Sequence, residues 1–248
     1  MEPKEYEIMY LAEESHWWYQ GMTAITKRVL ENYFPANGKS QILDAGCGTG
    51  AGMRFLSQYG TVVGLDISPY AMQFCLKRGL KDIARGSVTG LPFPDESFDF
   101  MTSFDILCCK GIDDGLALQE AARVLRVGGK MMIRVPAFDW LRGTHDVQVH
   151  IKHRYCLSEL AQKLVSVGFE VDFISYANTI LFPIVVLKRL SEKWLPPQQH
   201  SDVTLKIGPF SEIFKLCLLL ESCMIMKRRF PFGLSLVALS TKKPLEAP

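Results

Sequence analysis

The stretch LDAGCGTGAG, Leu43 to Gly52, sets glycines at four alternate positions, Gly46, Gly48, Gly50 and Gly52, directly behind a short apolar run. A strand that ends at Leu43 and turns through such residues brings bare main chain up to a ligand and tolerates positive φ. A tight strand-to-helix turn without a ligand is the simpler reading, and a lone glycine triplet does not exclude it. Gly46, Gly48 and Ala51 also fit the dinucleotide fingerprint G-x-G-x-x-G/A, which keeps a nicotinamide or flavin enzyme open. Asp66 closes the next apolar run, VVGLD, about 20 residues further on, where a carboxylate accepts hydrogen bonds from ribose hydroxyls of either cofactor. Asp44, ahead of the glycines, favours a cofactor that carries an amino group.

Outward from this turn the chain alternates. Strand-length apolar runs, QILDAG, TVVGLDIS, FDFMTSFDIL and KMMIRVPA, are separated by helical or loop material, which predicts a parallel sheet covered on both faces. Before them, Ile25, Val29 and Tyr33 recur at helical intervals and end at the breakers Pro35, Asn37 and Gly38. After them, Leu116 to Lys130 reads as a helix stopped by Gly128 and Gly129, and a second helix is expected with Ser158 as N-cap and Gly168 as its stop. GLSLVALSTKK is the last strand candidate. Between Asn178 and Pro231 the rhythm breaks into apolar helical material interrupted by WLPPQQHSD, as an insertion before the final strand would. The expected division is therefore a helical cap over residues 1–40, a core over 41–177, a helical cover over 178–231, and the final strand and tail over 232–248.

Bulk composition narrows the partners little. The chain has 248 residues, 48% hydrophobic and 22% charged, with a formal net charge of +2, so no nucleic-acid scaffold is announced and no basic stripe with interleaved aromatics occurs. Seven cysteines without a C-x-x-C pair point to reduced thiols in a cytoplasmic protein. The polar start MEPKEYEIMY lacks the basic flank and apolar block of a secretory signal. TILFPIVVL and KLCLLLESCMIM are interrupted by Pro183 and Glu221 and fall short of the ~20 residues that cross a bilayer. From Leu181 to Phe230, however, eight Lys or Arg stand against four Asp or Glu on an apolar background. That pattern suits either a buried helical cover with solvated charges or a peripheral membrane contact.

The ordered motifs ILDAGCGTG, VVGLDIS, GLPFPDESFDFMTSFDIL and EAARVLRVGGKMMIRVP resemble those of class I S-adenosylmethionine-dependent methyltransferases, from about Gln41 to Val135. The resemblance implies an α/β, Rossmann-like sheet of seven mostly parallel strands with helices on both faces, its last strand antiparallel. It also implies S-adenosyl-L-methionine as cofactor. Asp44 with the loop Gly46, Cys47, Gly48 and Gly50 would hold the methionyl part, and Asp66 the ribose. Ile67 would lie beside the adenine. Ser87, where relatives often carry Asp, and the Val88 amide would meet the adenine edge, and Ser103 with Phe104 would line the pocket near the methyl. The stretch EESHWWYQG, Glu13 to Gly21, resembles the entry helix of a subgroup acting on small molecules or lipids, with Gln20, Gly21 and Met22 where relatives often place arginine.

Methyl transfer from an activated sulfonium needs mainly alignment and exclusion of water, with a base only if the acceptor carries a proton. GTHDVQVHIKHRY, Gly143 to Tyr155, holds three of the five histidines. His145 is the candidate base, oriented by Asp146 or His150. Loop-tethering histidines are the competing reading, and His145, Asp146, His150 and His153 match no strong metal-ligand spacing. Three function classes remain: a methyltransferase for a small organic or lipid-like acceptor, an oxidoreductase using the same turn, and a methyltransferase-like binding protein.

Overall fold

Ile42, Leu43 and Ala45 are fully buried, as a strand covered on both faces requires, and they lie in β1 (Ser40–Ala45) at the middle of a seven-stranded sheet. The computed structural model describes residues 3–34, 36–143, 146–147, 149–192 and 210–244. Around β1 the strand order is β3-β2-β1-β4-β5-β7-β6, with β2 (Gly60–Asp66), β3 (Ile83–Arg85), β4 (Phe98–Phe104), β5 (Leu125–Pro136), β6 (Phe169–Ala177) and β7 (Ser235–Lys242). β7 runs antiparallel to both β5 and β6, and the pairings among β1 to β5 are parallel. The order reverses between β1 and β4, and the carboxyl ends of those two strands are where such sheets bind ligands.

Helices α1 (Pro3–Ala12) and α2 (Trp17–Tyr33) precede the sheet, α3 (Ala51–Leu56), α4 (Pro69–Lys77), α5 (Asp114–Val124) and α6 (Leu157–Ser166) connect strands, and α7 (Phe182–Glu192) and α8 (Phe210–Met224) fall between β6 and β7. α2 buries Met22, Ile25, Val29 and Leu30 completely. Gly21 admits α8: a Cβ there would stand 2.4 Å from Leu218 Cδ1 and 2.5 Å from its Cβ. Gly21→Ala should therefore destabilise the protein by about 1–2 kcal/mol, because overpacking outweighs the ~1 kcal/mol gained in helix propensity. Urea unfolding should show that loss, and adding Leu218→Ala should return part of it.

Two helix boundaries differ from the sequence reading. The helix expected to run to Lys130 ends at Val124, because the backbone of Glu96 and Ser97 donates to the carbonyls of Arg123 and Val124 and draws Leu125 into β5. Gly128 and Gly129 then serve a strand irregularity, with Leu125 opposite Phe98 and Lys130 opposite Phe100. Ser158 is not the N-cap of α6; Cys156 is, and the exposed first-turn amide of Leu157 is met by the Tyr176 hydroxyl at 3.2 Å. In both cases a tertiary hydrogen bond overrides a local cap.

Candidate functional site

The glycine turn hangs on β2. The amides of Gly46 and Cys47 both donate to the Leu65 carbonyl, at 2.7 and 3.0 Å. Gly46, Gly48 and Gly50 take φ of 85°, 54° and 90°, a run of left-handed backbone that glycine adopts without strain. At Gly46 the need is also steric, because a Cβ would lie 2.2 Å from Ile106 Cγ1.

Two carboxylates close the cradle. Asp44, at the end of β1, is buried and accepts from the Thr102 hydroxyl at 2.7 Å. Burial, helped by the nearby charge of Asp66, pushes its pKa up to about 6. Asp66, at the end of β2, accepts from the Gly48 amide through Oδ2 at 3.1 Å and from the Ser68 amide through Oδ1 at 2.9 Å. Burial raises its pKa as well.

The cradle opens into a cavity of about 1510 Å3. Asp44, Gly46, Cys47, Gly48, Asp66, Ile67, Ser87 and Val88 all line it. Gly50 and Ser103 do not: Gly50 turns away to start α3, and Ser103 is buried inside β4 while its neighbour Phe104 takes the wall position. Ile67 offers an apolar side chain that is 62% exposed beside the cradle. Ser87 shares its hydroxyl with Thr89 at 2.8 Å and caps its own turn by accepting from the Thr89 amide. Cys47 lies 3.9 Å from Cys75, Sγ to Sγ, and that contact together with burial holds its thiol well above the usual range.

The histidine loop is described in part. His145 lies outside the described residues. Asp146 is 1% exposed and committed to Arg154, which reaches its Oδ1 at 2.8 Å, while Oδ2 accepts from the Gly143 amide. His150 does line the cavity, with φ of 59°. His153 turns to Glu159, 2.8 Å from its Nε2. Among the described residues no three His, Cys, Asp or Glu are grouped to hold a metal ion.

Two features of the site escape a reading by motif. Asp105, just past β4, lines the cavity in a left-handed conformation, φ 60°, with Oδ2 held by Arg134 at 2.6 Å. Arg134 is itself clasped between the rings of Trp18 and Phe104, 5.0 and 4.9 Å from their centroids. The second is the roof. α1 lies over the cradle, with Tyr6 buried beside Tyr70 and Met9 against Gly48. Glu13 meets Thr49 and Arg78 behind it. These contacts join residues far apart in sequence, so no local spacing announces them.

The cradle's chemistry fits an amino-acid-bearing nucleoside, since two buried carboxylates face bare backbone. Comparison with known proteins agrees. Residues 43–133 match the model of a methyltransferase domain. The chain is 30% identical over 131 residues to the demethylmenaquinone methyltransferase of Tropheryma whipplei, covering 51% of this chain and 50% of that protein. It is 36% identical over 99 residues to the phthiotriol/phenolphthiotriol dimycocerosates methyltransferase of Mycobacterium tuberculosis, covering 37% and 36%. The chain thus spans half or less of the length of these two relatives. Among solved structures, the fold matches a methyltransferase chain in complex with the Haloferax volcanii Trm112 methyltransferase activator, with TM-score 0.61, 20% identity, and 96% and 93% of the two chains covered. The glycine turn, the two strand-end acids, the sheet order and the matched region agree: residues 43–133 are a methyltransferase domain, set in a fold shared with methyltransferases of known structure.

Proposed function

We propose that this protein transfers a methyl group from S-adenosylmethionine to a small organic or lipid-like acceptor bound in the chamber beyond the glycine turn. The observation that carries the reading is Asp44, a buried carboxylate at the turn itself, with Asp66 and Glu13 close by. A carboxylate at the turn itself would repel a pyrophosphate and attract an α-amino group, which separates a sulfonium nucleoside from a dinucleotide. Asp44 and the turn amides would hold the amino-acid part, Asp66 the ribose hydroxyls, and Ile67, Val88 and Ser87 the base. When bound, the cofactor supplies a methyl group already activated on sulfur.

The protein's share is to place an acceptor and keep water out. α1 and α2 cover the cradle from one side, and Leu181, just before α7, Val185 of α7 and Phe214 of α8 add apolar side chains to the wall. For an acceptor with an O–H or N–H, two wall groups stand ready to receive the proton, His150 and Asp105. We favour Asp105, because it lines the chamber just past β4 and Arg134 holds it in place through Oδ2. Names of relatives support a lipid-like acceptor as well as a small one, and the wall chemistry suits both.

Calorimetry with S-adenosylhomocysteine and with NADH tests the cofactor. Saturable heat with the first alone is expected; the reverse would overturn the proposal. Asp44 adds a pH signature. Its folded pKa, about 6, lies above the ordinary carboxylate value. The stability it contributes is therefore present at low pH and lost as pH rises through about 6, where the buried charge appears. An ammonium on the ligand offsets that charge, so affinity should rise about tenfold per pH unit up to about 6 and then level off. Asp44→Asn should flatten the profile.

A further inference from the structure

The helices between β6 and β7 carry apolar side chains that stay half-exposed or more on their outer faces. α8 turns Leu218 and Ser222 inward against α2, yet Ile213, Leu216, Leu220 and Met224 stand 46–55% exposed along its other side, at spacings of three and four residues. α7 repeats the arrangement with Ile184 and Leu187, which are 53% and 68% exposed. A helix apolar on both faces has a second surface to cover. Ile184 also lines the chamber, so α7 contributes to the chamber wall as well as to the exposed apolar surface.

Among the described residues of this region, 181–192 and 210–230, six Lys or Arg stand against three Asp or Glu. Two of the cations, Lys188 and Arg189, line the chamber. One of those acids, Glu221, is fully buried and spent on the amides of Asn178, Thr179 and Ile180 at the start of α7. Its charge is thereby withdrawn from the surface. Lys227 and Arg228 are exposed just beyond the end of α8, next to Met224. Glu212 is the exposed acid on α8 and stands 3.6 Å from Lys215. Among the described residues no helix is long and apolar enough to cross a membrane, so contact through this face would lie in the plane of an interface.

We propose that the outer faces of α7 and α8 dock on an anionic lipid surface, placing the chamber wall at Ile184 against the bilayer. Apolar side chains enter the acyl boundary while Lys227 and Arg228 meet the headgroups. The purpose of docking, delivery of a lipid-like acceptor, rests on the methyl-transfer reading; the docking itself does not.

Flotation of the full chain with vesicles tests it. Co-flotation is expected with phosphatidylcholine mixed with phosphatidylglycerol, and much less with phosphatidylcholine alone. Leu187→Glu with Leu216→Glu should lower the bound fraction about tenfold, and Lys227→Ala with Arg228→Ala should lower it several-fold without touching any apolar contact. Both variants should bind S-adenosylhomocysteine as the parent does, since none of the four residues lines the chamber. Failure of the parent to float with the anionic vesicles while it binds S-adenosylhomocysteine overturns the docking alone. Undiminished flotation of both variants also overturns it, as does a self-association in sedimentation that the leucine substitutions abolish, which would assign the face to a second copy. Absence of S-adenosylhomocysteine binding in a floating parent overturns the cofactor reading instead.

Discussion

Asp66→Ala should weaken S-adenosylhomocysteine binding by a factor of about 100 or more, while the protein stays folded. The carboxylate has two tasks. In the proposed reading it receives ribose hydroxyls, and it already receives the Gly48 and Ser68 amides, which shape the turn on one side and the entry to α4 on the other. A hydrogen bond to a charged group contributes about 1.5–3 kcal/mol, so losing the ribose contacts together with the turn's anchor removes about 3 kcal/mol or more of binding. The fold should tolerate the change, because burial raises the pKa of Asp66 and its ionised form is therefore held at a cost at neutral pH. Asp66→Asn separates the tasks. The amide oxygen can keep one backbone bond and the volume is conserved, so thermal stability should match the parent and affinity should fall between the two. Calorimetry and a melting curve on both variants check this. Binding within about threefold of the parent in Asp66→Ala would remove Asp66 from the ribose and with it the orientation of ligand assigned here.

The readability of this site follows from how locally each part is encoded. The turn was legible because its conformation demands a residue type: three alternate positive φ angles within one loop leave little choice but glycine. Asp44 and Asp66 were legible because each ends a strand, and strand ends show as the close of an apolar run. Ser103 misled for a related reason. Side chains alternate along a strand, so a pocket assigned to two successive residues can be true of only one, and Phe104 holds it. Asp105 and Arg134 were missed because their pairing depends on register between β4 and β5, where Phe104 stands opposite Arg134. Register across a parallel crossover leaves no trace in either segment alone. The histidine loop drew attention by composition, yet its buried acid, Asp146, serves Arg154 and the loop backbone.

The roof over the cradle makes the second large prediction. Arg78 is 4% exposed and binds three separate parts of the chain: the Thr49 carbonyl through Nε at 2.7 Å, the Tyr10 carbonyl and Glu13 through Nη2 at 3.1 and 2.9 Å, and Glu14 through Nη1 at 2.6 Å. The Tyr10 ring lies against its face, 4.4 Å away. One planar side chain thus joins α1, the loop after it and the glycine turn, which an ammonium cannot imitate. Arg78→Ala leaves Glu13 buried without its cation and two carbonyls without donors, a loss of about 3–5 kcal/mol if α1 stays in place. The cheaper response is for α1 to leave. We therefore expect amides of residues 3–12 to lose most of their protection from hydrogen exchange, while those of β1 and β4 keep theirs. S-adenosylhomocysteine affinity should fall with them, since Met9 and Tyr6 leave the cradle when α1 does. Arg78→Lys should behave like alanine in exchange and in binding. If α1 instead kept its protection in both variants, Tyr6, Met9 and Tyr10 would be holding the roof by packing alone, and the charged cluster behind it would contribute little to closure.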